Sequence, residues 1–401
     1  MYNQTMSFTL DMKDAIPMPN NIPPLGRLPK NKDIYLRRST NLYGNSETGK
    51  TTILMEIAHL LKDDIPIVYV VAPSNSQNHT YDGVVPQRLI KEHITREKLI
   101  NIFRLQELKT ELYKIVNNPK EIKPVFEAMK DIPDCAPSYY GANQTILSYE
   151  EKLKKYKARL ARNDKLTSVQ KEEALGNADQ THAESIVKIY KSNIMRFKPI
   201  LSKYFEQRNT VEFKTIVDFI DLNPNIMLIF DDAMEILHEL SKISGASRKN
   251  RDRYHDIISI IFSRGRHANI TIICSAQDDN KFSSQMRKSA FVSIFTEMPA
   301  LVHFASSTAN GFDKKTREKV ITMGSEVFAG DIKKNYKKFC YFRLGNSHNK
   351  FSYSLASIYP DFKLCAPEVR KFCEESERNK ENRNAVFLRS VREKMNKLRI
   401  I

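Results

Sequence analysis

One eight-residue motif near the N-terminus constrains the fold of this chain more than any other feature. Residues 44–51 read GNSETGKT, a complete GxxxxGK[ST] phosphate loop. The loop follows a short extended run that ends at Tyr43, and residues 52–61 after it have the apolar spacing of a helix. A strand, the loop and a helix in this order are the context that the motif requires, which disfavours a chance match. The sequence therefore predicts an α/β domain that binds a nucleoside triphosphate.

The residue types of the loop suit triphosphate binding. Two glycines allow the backbone to curl, so that successive N–H groups point towards phosphate oxygens. Lys50, which we expect to be exposed, brings a positive charge to the β- and γ-phosphates, and the Thr51 hydroxyl is placed to ligate Mg²⁺. The expected cofactors are ATP and Mg²⁺, and the predicted binding residues are Gly44, Asn45, Ser46, Glu47, Thr48, Gly49, Lys50, Thr51 and Thr52.

A second strand end carries the acidic residues that such a loop needs. The apolar run 227–230 ends abruptly in Asp231 and Asp232. Two carboxylates at the carboxyl end of a buried strand are typical of a Walker B motif. We expect Asp231 to hold Mg²⁺ and Asp232 to polarise the attacking water. The alternative is that an aspartate caps the helix that follows, but a pair of carboxylates favours the catalytic role.

Three further candidate site residues lie at the ends of the next predicted strand: one at its carboxyl end and two before its start. It ends in Gln277, whose amide both donates and accepts hydrogen bonds and suits a γ-phosphate sensor of the kind found in RecA-like NTPases. Arg264 and Arg266 precede this strand and are candidate arginine fingers, because a guanidinium is planar and permanently charged. We expect both near the carboxyl edge of the sheet, close to a subunit boundary. Their alternative role is to cap the preceding helix.

The charge balance indicates a polyanionic partner. Lys and Arg number 64 against 47 Asp and Glu, which gives a net charge of +17. Nucleic acid is the first candidate partner, although charge alone leaves a generic basic protein equally open. No apolar run approaches the ~18 residues of a membrane span. The N-terminus lacks the features of a secretory signal, so we expect a protein that is not secreted.

The pattern of strands and helices predicts three regions. Residues 1–32 are rich in proline and predict an extended arm. Residues 33–365 form the predicted ATPase domain, in which strands alternate with helices as in a mainly parallel sheet. Charged, helical residues at about 100–215 predict an insertion in that domain, because a structureless loop of this length is improbable. Residues 366–401 predict a basic helical tail. The expected strands after the phosphate loop are 66–71, 226–230, 270–277 and 292–296, with a hairpin of 339–343 and 351–355 that turns at Gly345 and Asn346.

Four stretches in order resemble a known family. GNSETGKT, LIFDDAMEIL, FSRGRHANITIICSAQD and QMRKSAFVSIF resemble the poxvirus-type genome-packaging ATPases of nucleocytoplasmic large DNA viruses, in the FtsK–HerA superfamily of DNA-pumping motors. The resemblance covers about residues 33–300 without the insertion. It departs from the family at Asp232, where much of the superfamily has Glu.

This resemblance implies a RecA-like P-loop NTPase that works as a homo-oligomeric ring, expected to be a hexamer. Such a ring moves double-stranded DNA into a preformed capsid, with a capsid or portal-region protein as partner. We expect the DNA binding to be independent of sequence, because the positive charge has no interleaved aromatic residues that would indicate base reading. The expected location is the virus assembly site in the host cytoplasm or the virion. In the family's terms Lys50, Thr51, Asp231 and Asp232 are catalytic, Gln277 is the sensor, and Arg264 or Arg266 is the finger.

Other functions are compatible with the same motifs. A helicase or a plasmid-transfer ATPase of the same superfamily shares the motor core. A P-loop small-molecule kinase also uses a phosphate loop, but such kinases usually carry an arginine-rich lid and rarely this much positive charge. A nucleotide-gated scaffold without turnover is disfavoured by the intact Asp231 and Asp232 pair. DNA-stimulated hydrolysis of ATP separates the motor from the kinase.

Overall fold

The chain divides into two compact units, one of residues 1–106 and 223–401 and one of residues 107–222. The predicted insertion lies largely in the second unit. The computed structural model describes residues 8–131, 133, 135–163, 166–194, 219, 222–241, 254, 256–277, 280, 282–330, 336–345, 349–359 and 361–379.

A ten-stranded sheet organises the first unit. Its strands are β1 (Asp11–Ile16), β2 (Leu25–Arg27), β3 (Ser39–Tyr43), β4 (Ile67–Val71), β5 (Ile90–Lys91), β6 (Ile226–Phe230), β7 (Ile270–Ala276), β8 (Val292–Phe295), β9 (Lys337–Phe342) and β10 (Phe351–Leu355). Their order across the sheet is β1-β2-β10-β9-β8-β3-β7-β6-β4-β5.

Helices fill most of the remaining described chain. They are α1 (Lys50–Leu61), α2 (Asn75–Asn78), α3 (Arg96–Asn117), α4 (Pro119–Ala128), α5 (Ala136–Ala161), α6 (Ser168–Ile194), α7 (Met234–Ser241), α8 (Ile257–Arg264), α9 (Ser284–Ser289), α10 (Met298–Ser306) and α11 (Lys314–Val327). A further helix runs over residues 367–379. In the part of the chain that the structure describes, every helix is too short or too polar to span a membrane.

Six neighbouring strands form the parallel core of the sheet. β8, β3, β7, β6, β4 and β5 each pair in parallel with the next. The sequences IVYVV of β4 and IMLIF of β6 are buried at every position, as expected for strands covered on both faces. β7 lies between the strand that leads into the phosphate loop and the strand that ends at Asp231. The fold is thus α/β with a mainly parallel sheet in the RecA-like order, and the predicted fold class is confirmed.

Antiparallel strands extend the sheet at one side. β9 pairs with β8, and β10 pairs with β9 from Phe351 opposite Tyr341 to Leu355 opposite Lys337, so the predicted hairpin is confirmed. Gly345 of its turn is described, whereas Asn346 lies outside the described residues. β2 joins β10, and β1 joins β2. Residues 8–32, for which the sequence predicts an extended arm, therefore contain two strands of the sheet, of which β1 is the edge strand.

The described start of the predicted basic tail packs against the sheet unit. The Ala366 amide donates to Pro66 O at 2.9 Å, and one Arg370 amino group donates to Val84 O at 2.8 Å. Val369 and Cys373 are fully buried. Residues 366–379 are therefore part of the body of the first unit, and residues 380–401 of the predicted tail lie outside the described residues.

The described elements of the second unit are helical. Ile122, Phe126 and Met129 from α4 and the turn after it form a buried cluster with Tyr190 of α6. Lys157 on α5 pairs with Asp179 on α6, with a 2.6 Å distance between Nζ and Oδ1. A helical insertion was predicted here from the sequence, and its residues 195–215 lie outside the described part.

Candidate nucleotide site

The phosphate loop lies at the carboxyl edge of the parallel core, because it joins the end of β3 to the start of α1. The Gly44 amide donates to Ala276 O of the neighbouring β7 at 3.2 Å, which holds the loop to the sheet. A Cβ atom added at Gly44 would lie 1.9 Å from the Thr296 Oγ1 atom. Gly49 has a φ of 91°, in the left-handed region that favours glycine. Both glycines of the motif are thus required by the geometry of the loop.

Lys50 folds back over its own loop. Its Nζ donates to Gly44 O at 2.7 Å and to Asn45 O at 2.9 Å. The residue is only 5% exposed, so the expectation of an exposed Lys50 is wrong. The reason is that the curled loop points two carbonyl oxygens at the amine. The ammonium group is therefore held inside the loop, where phosphate oxygens would compete with these carbonyls for it.

The two aspartates at the end of β6 have different environments. Asp231 is buried, and its Oδ1 and Oδ2 accept hydrogen bonds from the Ser275 hydroxyl at 2.5 Å and the Tyr81 hydroxyl at 2.8 Å. Burial raises the pKa of Asp231, and the hydrogen bonds from Ser275 and Tyr81 oppose that rise. Asp232 is exposed and has a φ of 49°. Its backbone amide donates to Ser275 Oγ at 2.9 Å, so one serine of β7 fixes both aspartates.

The donor atoms at this edge suit Mg²⁺. The Asp231 carboxylate and the Thr51 hydroxyl in the first turn of α1 are oxygen ligands, which this cation prefers. In the described residues there is no cluster of three or more His, Cys, Asp or Glu side chains that could hold a metal ion without other ligands. The site residues therefore fit the triphosphate and Mg²⁺ that the sequence predicts.

Gln277 lies at the same edge of the sheet. It directly follows β7, the strand between the phosphate-loop strand and the Asp231 strand, and its side chain is exposed. This position agrees with the location expected of a γ-phosphate sensor. The sensor role of Gln277 stays a prediction.

Arg264 and Arg266 lie at the opposite edge. Arg264 ends α8, a short 3₁₀ turn follows, and β7 begins at Ile270. The expectation that they lie at the carboxyl edge is wrong, because residues that precede a parallel strand lie at its amino end. Arg266 lines a cleft of about 370 Å³ at that edge, and other basic residues that line it are Arg37, Arg38, Lys288 and Arg343. The phosphate loop and the two arginines therefore lie at opposite edges of the sheet.

Three residues around the loop and its aspartates are not among those predicted from the sequence. The Asn45 amide donates to Glu297 Oε1 at 2.7 Å. Lys338 on β9 donates from Nζ to Thr48 O at 2.8 Å, and it is only 5% exposed. Burial lowers the pKa of Lys338, and the Glu297 carboxylate opposes that shift.

Tyr81 is the third missed residue, because it is the hydroxyl donor to Asp231 from 150 positions away in the chain. Glu297 lies two residues after the end of β8, whereas Asp231 directly follows β6, and this placement near a strand end was the one available indication in the sequence. No sequence pattern indicated a role for Lys338 or Tyr81, since only the folded chain brings Lys338 to the loop and Tyr81 to Asp231.

Comparison with known proteins gives a viral relative. No family model matches the chain. Proteins of African swine fever virus named "Uncharacterized protein B354L" are 27% identical over 353 residues, which cover 84% of this chain and 88% of the relative. The chain thus resembles a viral protein over most of its length. The source of these relatives agrees with the resemblance to virus packaging ATPases that the motifs indicate.

Solved structures with some likeness are nucleotide-binding proteins. The plasmid coupling protein TrwB with a GTP analogue is 12% identical, covers 86% of this chain and 89% of its own, and has a TM-score of 0.34. TrwB with ADP and Mg²⁺ has 11% identity, coverage of 84% and 88%, and a TM-score of 0.33. The genome packaging NTPase B204 of Sulfolobus turreted icosahedral virus 2, with AMPPCP, has 16% identity, coverage of 40% and 63%, and a TM-score of 0.22. TM-scores this low carry no argument about the fold. The strand order and the phosphate loop of this chain define it instead.

Proposed function

We propose that this chain is an ATP-hydrolysing motor that moves double-stranded DNA, and that its task is to package a viral genome into capsids. The observation that carries the catalytic part is the arrangement at the carboxyl edge of the sheet. There, the phosphate loop, the Asp231 and Asp232 pair and Gln277 follow β3, β6 and β7, and Ser275 holds the two aspartates by hydrogen bonds. The motifs and the viral relatives support the packaging part.

Each residue of the site has a separate role in the proposed hydrolysis. The backbone amides of the loop and the Lys50 ammonium bind the phosphates, and Lys50 exchanges its two carbonyl partners for phosphate oxygens. Asp231 and Thr51 hold Mg²⁺, which when bound neutralises charge on the phosphates. Asp232 is exposed at the same edge and takes the proton of the attacking water, while Gln277 orients that water.

In this proposal the arginine finger comes from a second subunit. Arg264 and Arg266 lie at the amino edge, so they can serve a phosphate loop only if another copy of the chain presents that edge to it. A head-to-tail ring provides this contact at every interface, because each subunit then joins two different surfaces. This geometry supports the proposed homo-oligomeric ring, and six subunits is the number that the family resemblance implies.

The charge of +17, taken together with the motifs, supports the proposal of a DNA partner. We propose that the ring binds the phosphate backbone and not the bases, because backbone contacts supply affinity without sequence preference. The basic run 248–253 and the tail from Arg378 are candidate contact regions, of which 248–253 and 380–401 lie outside the described residues. The capsid or portal-region partner and the location at the virus assembly site or in the virion are part of the same proposal.

Hydrolysis of ATP with and without linear duplex DNA tests the proposed function. We expect the wild-type protein to hydrolyse ATP faster with DNA and the Lys50→Ala variant to hydrolyse none, because the phosphates lose their lysine. Circular dichroism shows whether the variant is folded. The oligomeric state, measured by light scattering, is expected to be a ring. Normal turnover in a folded Lys50→Ala protein contradicts the motor, and unchanged turnover with DNA favours the small-molecule kinase.

A further inference from the structure

The end of α5 in the second unit carries a row of exposed basic side chains. Residues 152–162 include six Lys and Arg and no Asp or Glu. Four of the six, all exposed, follow one another at intervals of three, four and three residues: Lys152, Lys155, Arg159 and Arg162. We propose that these four side chains, which form the cationic face of α5, bind the phosphate backbone of duplex DNA. The inference rests on the proposed DNA-moving function and assigns the second unit a part in it.

The intervals place the four cations on one side of α5. An α-helix turns once in about 3.6 residues, so side chains three and four positions apart lie next to one another. Arg162 directly follows the helix and keeps a right-handed helical backbone. The buried residues Ala142, Ile146 and Leu160 lie on the other side, and Ala142 and Ile146 belong to the buried cluster of this unit. The cationic face therefore points to solvent, away from the buried cluster.

The charges of this face are available to a ligand. Among the described residues, Lys152, Arg159 and Arg162 form no ion pair with a carboxylate. Lys155 pairs with Glu151 at 2.7 Å, but both side chains are about two-thirds exposed, and an ion pair in water contributes little. A phosphate can therefore replace Glu151 as the partner of Lys155. Neighbouring like charges on a helix repel one another, and a bound polyanion removes that repulsion.

The positive charge of the second unit is concentrated at this place. The first part of α5, residues 136–151, contains no Lys or Arg, and α6 contains three Lys against four Asp and Glu. A generically basic surface would carry its surplus on both helices. A local cluster of one sign instead produces a strong local field, which is typical of a contact with a polyanion.

The length and the chemistry of the face suit a duplex. Lys152 and Arg162 are ten positions apart, which is about 15 Å along the helix axis. A duplex carries one phosphate charge per about 1.7 Å of its axis, so each cation can meet a phosphate. Tyr149 and Tyr156 border the face and are 39% and 45% exposed. Their hydroxyls can also donate to phosphate oxygens, while the stacked bases of a duplex keep their faces out of reach.

Salt dependence of DNA binding tests the cationic face. Fluorescence anisotropy of a labelled duplex, with the full chain at several salt concentrations, measures affinity and its slope against salt. The variant Lys152→Gln/Arg159→Gln removes two charges from the face. The matched control Lys154→Gln/Lys188→Gln removes two exposed lysines of the same unit, one on another side of α5 and one on α6. Lys152→Arg/Arg159→Lys keeps both charges and separates charge loss from damage to the helix.

Each phosphate contact contributes about 0.9 to the slope of log affinity against log salt, so the face variant should lose about 1.8 of slope and bind DNA about tenfold or more weakly. The control and the charge-preserving variant should behave as wild type. All proteins should bind the hydrolysis-resistant ATP analogue AMPPCP equally, because the first unit is untouched.

Three results decide against the cationic face or against the motor. Equal losses in the face variant and the control mean that net charge alone governs DNA binding, which overturns the proposal. Unchanged DNA binding in the face variant also overturns it, and a simultaneous loss of polyglutamate binding would then indicate an acidic protein as the partner of this face. Wild-type protein that binds no duplex DNA contradicts the proposed function itself.

Discussion

Asp231 and Asp232 are neighbours in the chain, yet the fold gives them opposite surroundings. Asp231 is buried between two hydroxyl donors, whereas Asp232 is exposed and has a left-handed backbone. A fixed, buried carboxylate suits a metal ligand, and an exposed one can meet water and move a proton. This contrast supports the division of roles that the sequence suggests.

The first prediction compares Asp231→Asn with Asp232→Asn. Asn tolerates the left-handed φ at position 232, so this variant keeps the backbone and loses only the proton acceptor. We expect it to bind ATP normally and to hydrolyse it about 10²–10⁴-fold more slowly. Asp231→Asn should instead weaken binding in a way that depends on Mg²⁺ concentration. Hydrolysis rates and Mg²⁺ titrations of AMPPCP binding measure both effects, and identical behaviour of the two variants would show the division to be wrong.

Lys338 is a second buried cation at the phosphate loop. Its Nζ donates to the Thr48 carbonyl, and a Cβ atom added at Gly49 would lie 3.4 Å from that nitrogen. The charge therefore lies directly behind the segment that binds phosphates. In a site of low dielectric constant, a nearby positive charge favours an anionic ligand.

The second prediction is that Lys338→Met lowers the affinity for AMPPCP about tenfold, which corresponds to about 1.4 kcal/mol. Both the charge and the hydrogen bond to Thr48 are lost. Lys337→Met is the matched control, because it removes the same charge from the neighbouring position on β9, where side chains point to the other face of the sheet. Calorimetric binding with thermal unfolding measures affinity and stability separately. Equal affinities in the two variants would contradict a role for Lys338.

At the scale of elements, the contact between the phosphate loop and the end of β8 decides which residue is tolerated at position 44. Thr296 follows β8, and its hydroxyl is 2.5 Å from the Thr48 hydroxyl. The loop thus packs against a strand that is distant in sequence but adjacent in the sheet.

The third prediction concerns two glycine variants. Gly44→Ala would place its methyl group on the Thr296 hydroxyl, so the loop must shift, and we expect loss of AMPPCP binding. Gly311→Ala is the control, because Gly311 has a φ of 72° and open space around it. It should cost only the left-handed strain of about 1 kcal/mol and leave binding intact. Retained nucleotide affinity in Gly44→Ala would mean that the loop adapts more easily than its packing suggests.

The strands of the sheet could be predicted from the sequence, whereas several contacts between them could not. The parallel strands were predictable because apolar runs such as 226–230 are buried on both faces and end in polar residues. The edge of the sheet at which Arg266 lies was predicted wrongly, although the direction of a parallel strand determines it. Lys338 and Tyr81 were not predictable, since their partners Thr48 and Asp231 are 290 and 150 positions away. Local patterns specify elements, whereas such contacts depend on how the sheet orders its strands.

At the scale of the whole molecule, the net charge of +17 is the basis of the proposed binding to the DNA backbone. The fourth prediction is that affinity for duplex DNA falls steeply with salt, because each neutralised phosphate releases condensed counterions. Fluorescence anisotropy with two labelled duplexes of unrelated sequence, at several salt concentrations, measures this. We expect parallel slopes and similar affinities for both duplexes. A strong preference for one sequence, or an affinity that barely changes with salt, would indicate base recognition instead.

The last prediction is that neighbouring subunits share each active site. Arg264 and Arg266 lie at the amino edge and the phosphate loop at the carboxyl edge, so one subunit cannot bring the two together. A finger supplied by a neighbour contributes on the order of 10³–10⁵ in rate in related phosphoryl transfers. The double variant Arg264→Ala/Arg266→Ala should therefore bind ATP and fail to hydrolyse it. Lys50→Ala fails for a different reason, because its own loop is damaged while its arginines are intact.

Mixing these two inactive proteins tests the shared site directly. In a mixed ring, some interfaces join an intact phosphate loop of one subunit to the intact arginines of the other, and those interfaces should hydrolyse ATP. Activity should peak near equal proportions of the two variants, because the fraction of such interfaces is then highest. Mixed assembly is confirmed by pulling down one tagged variant and detecting the other. If mixed rings form and no activity returns, the arginines only cap α8, and the finger must be sought elsewhere in the chain.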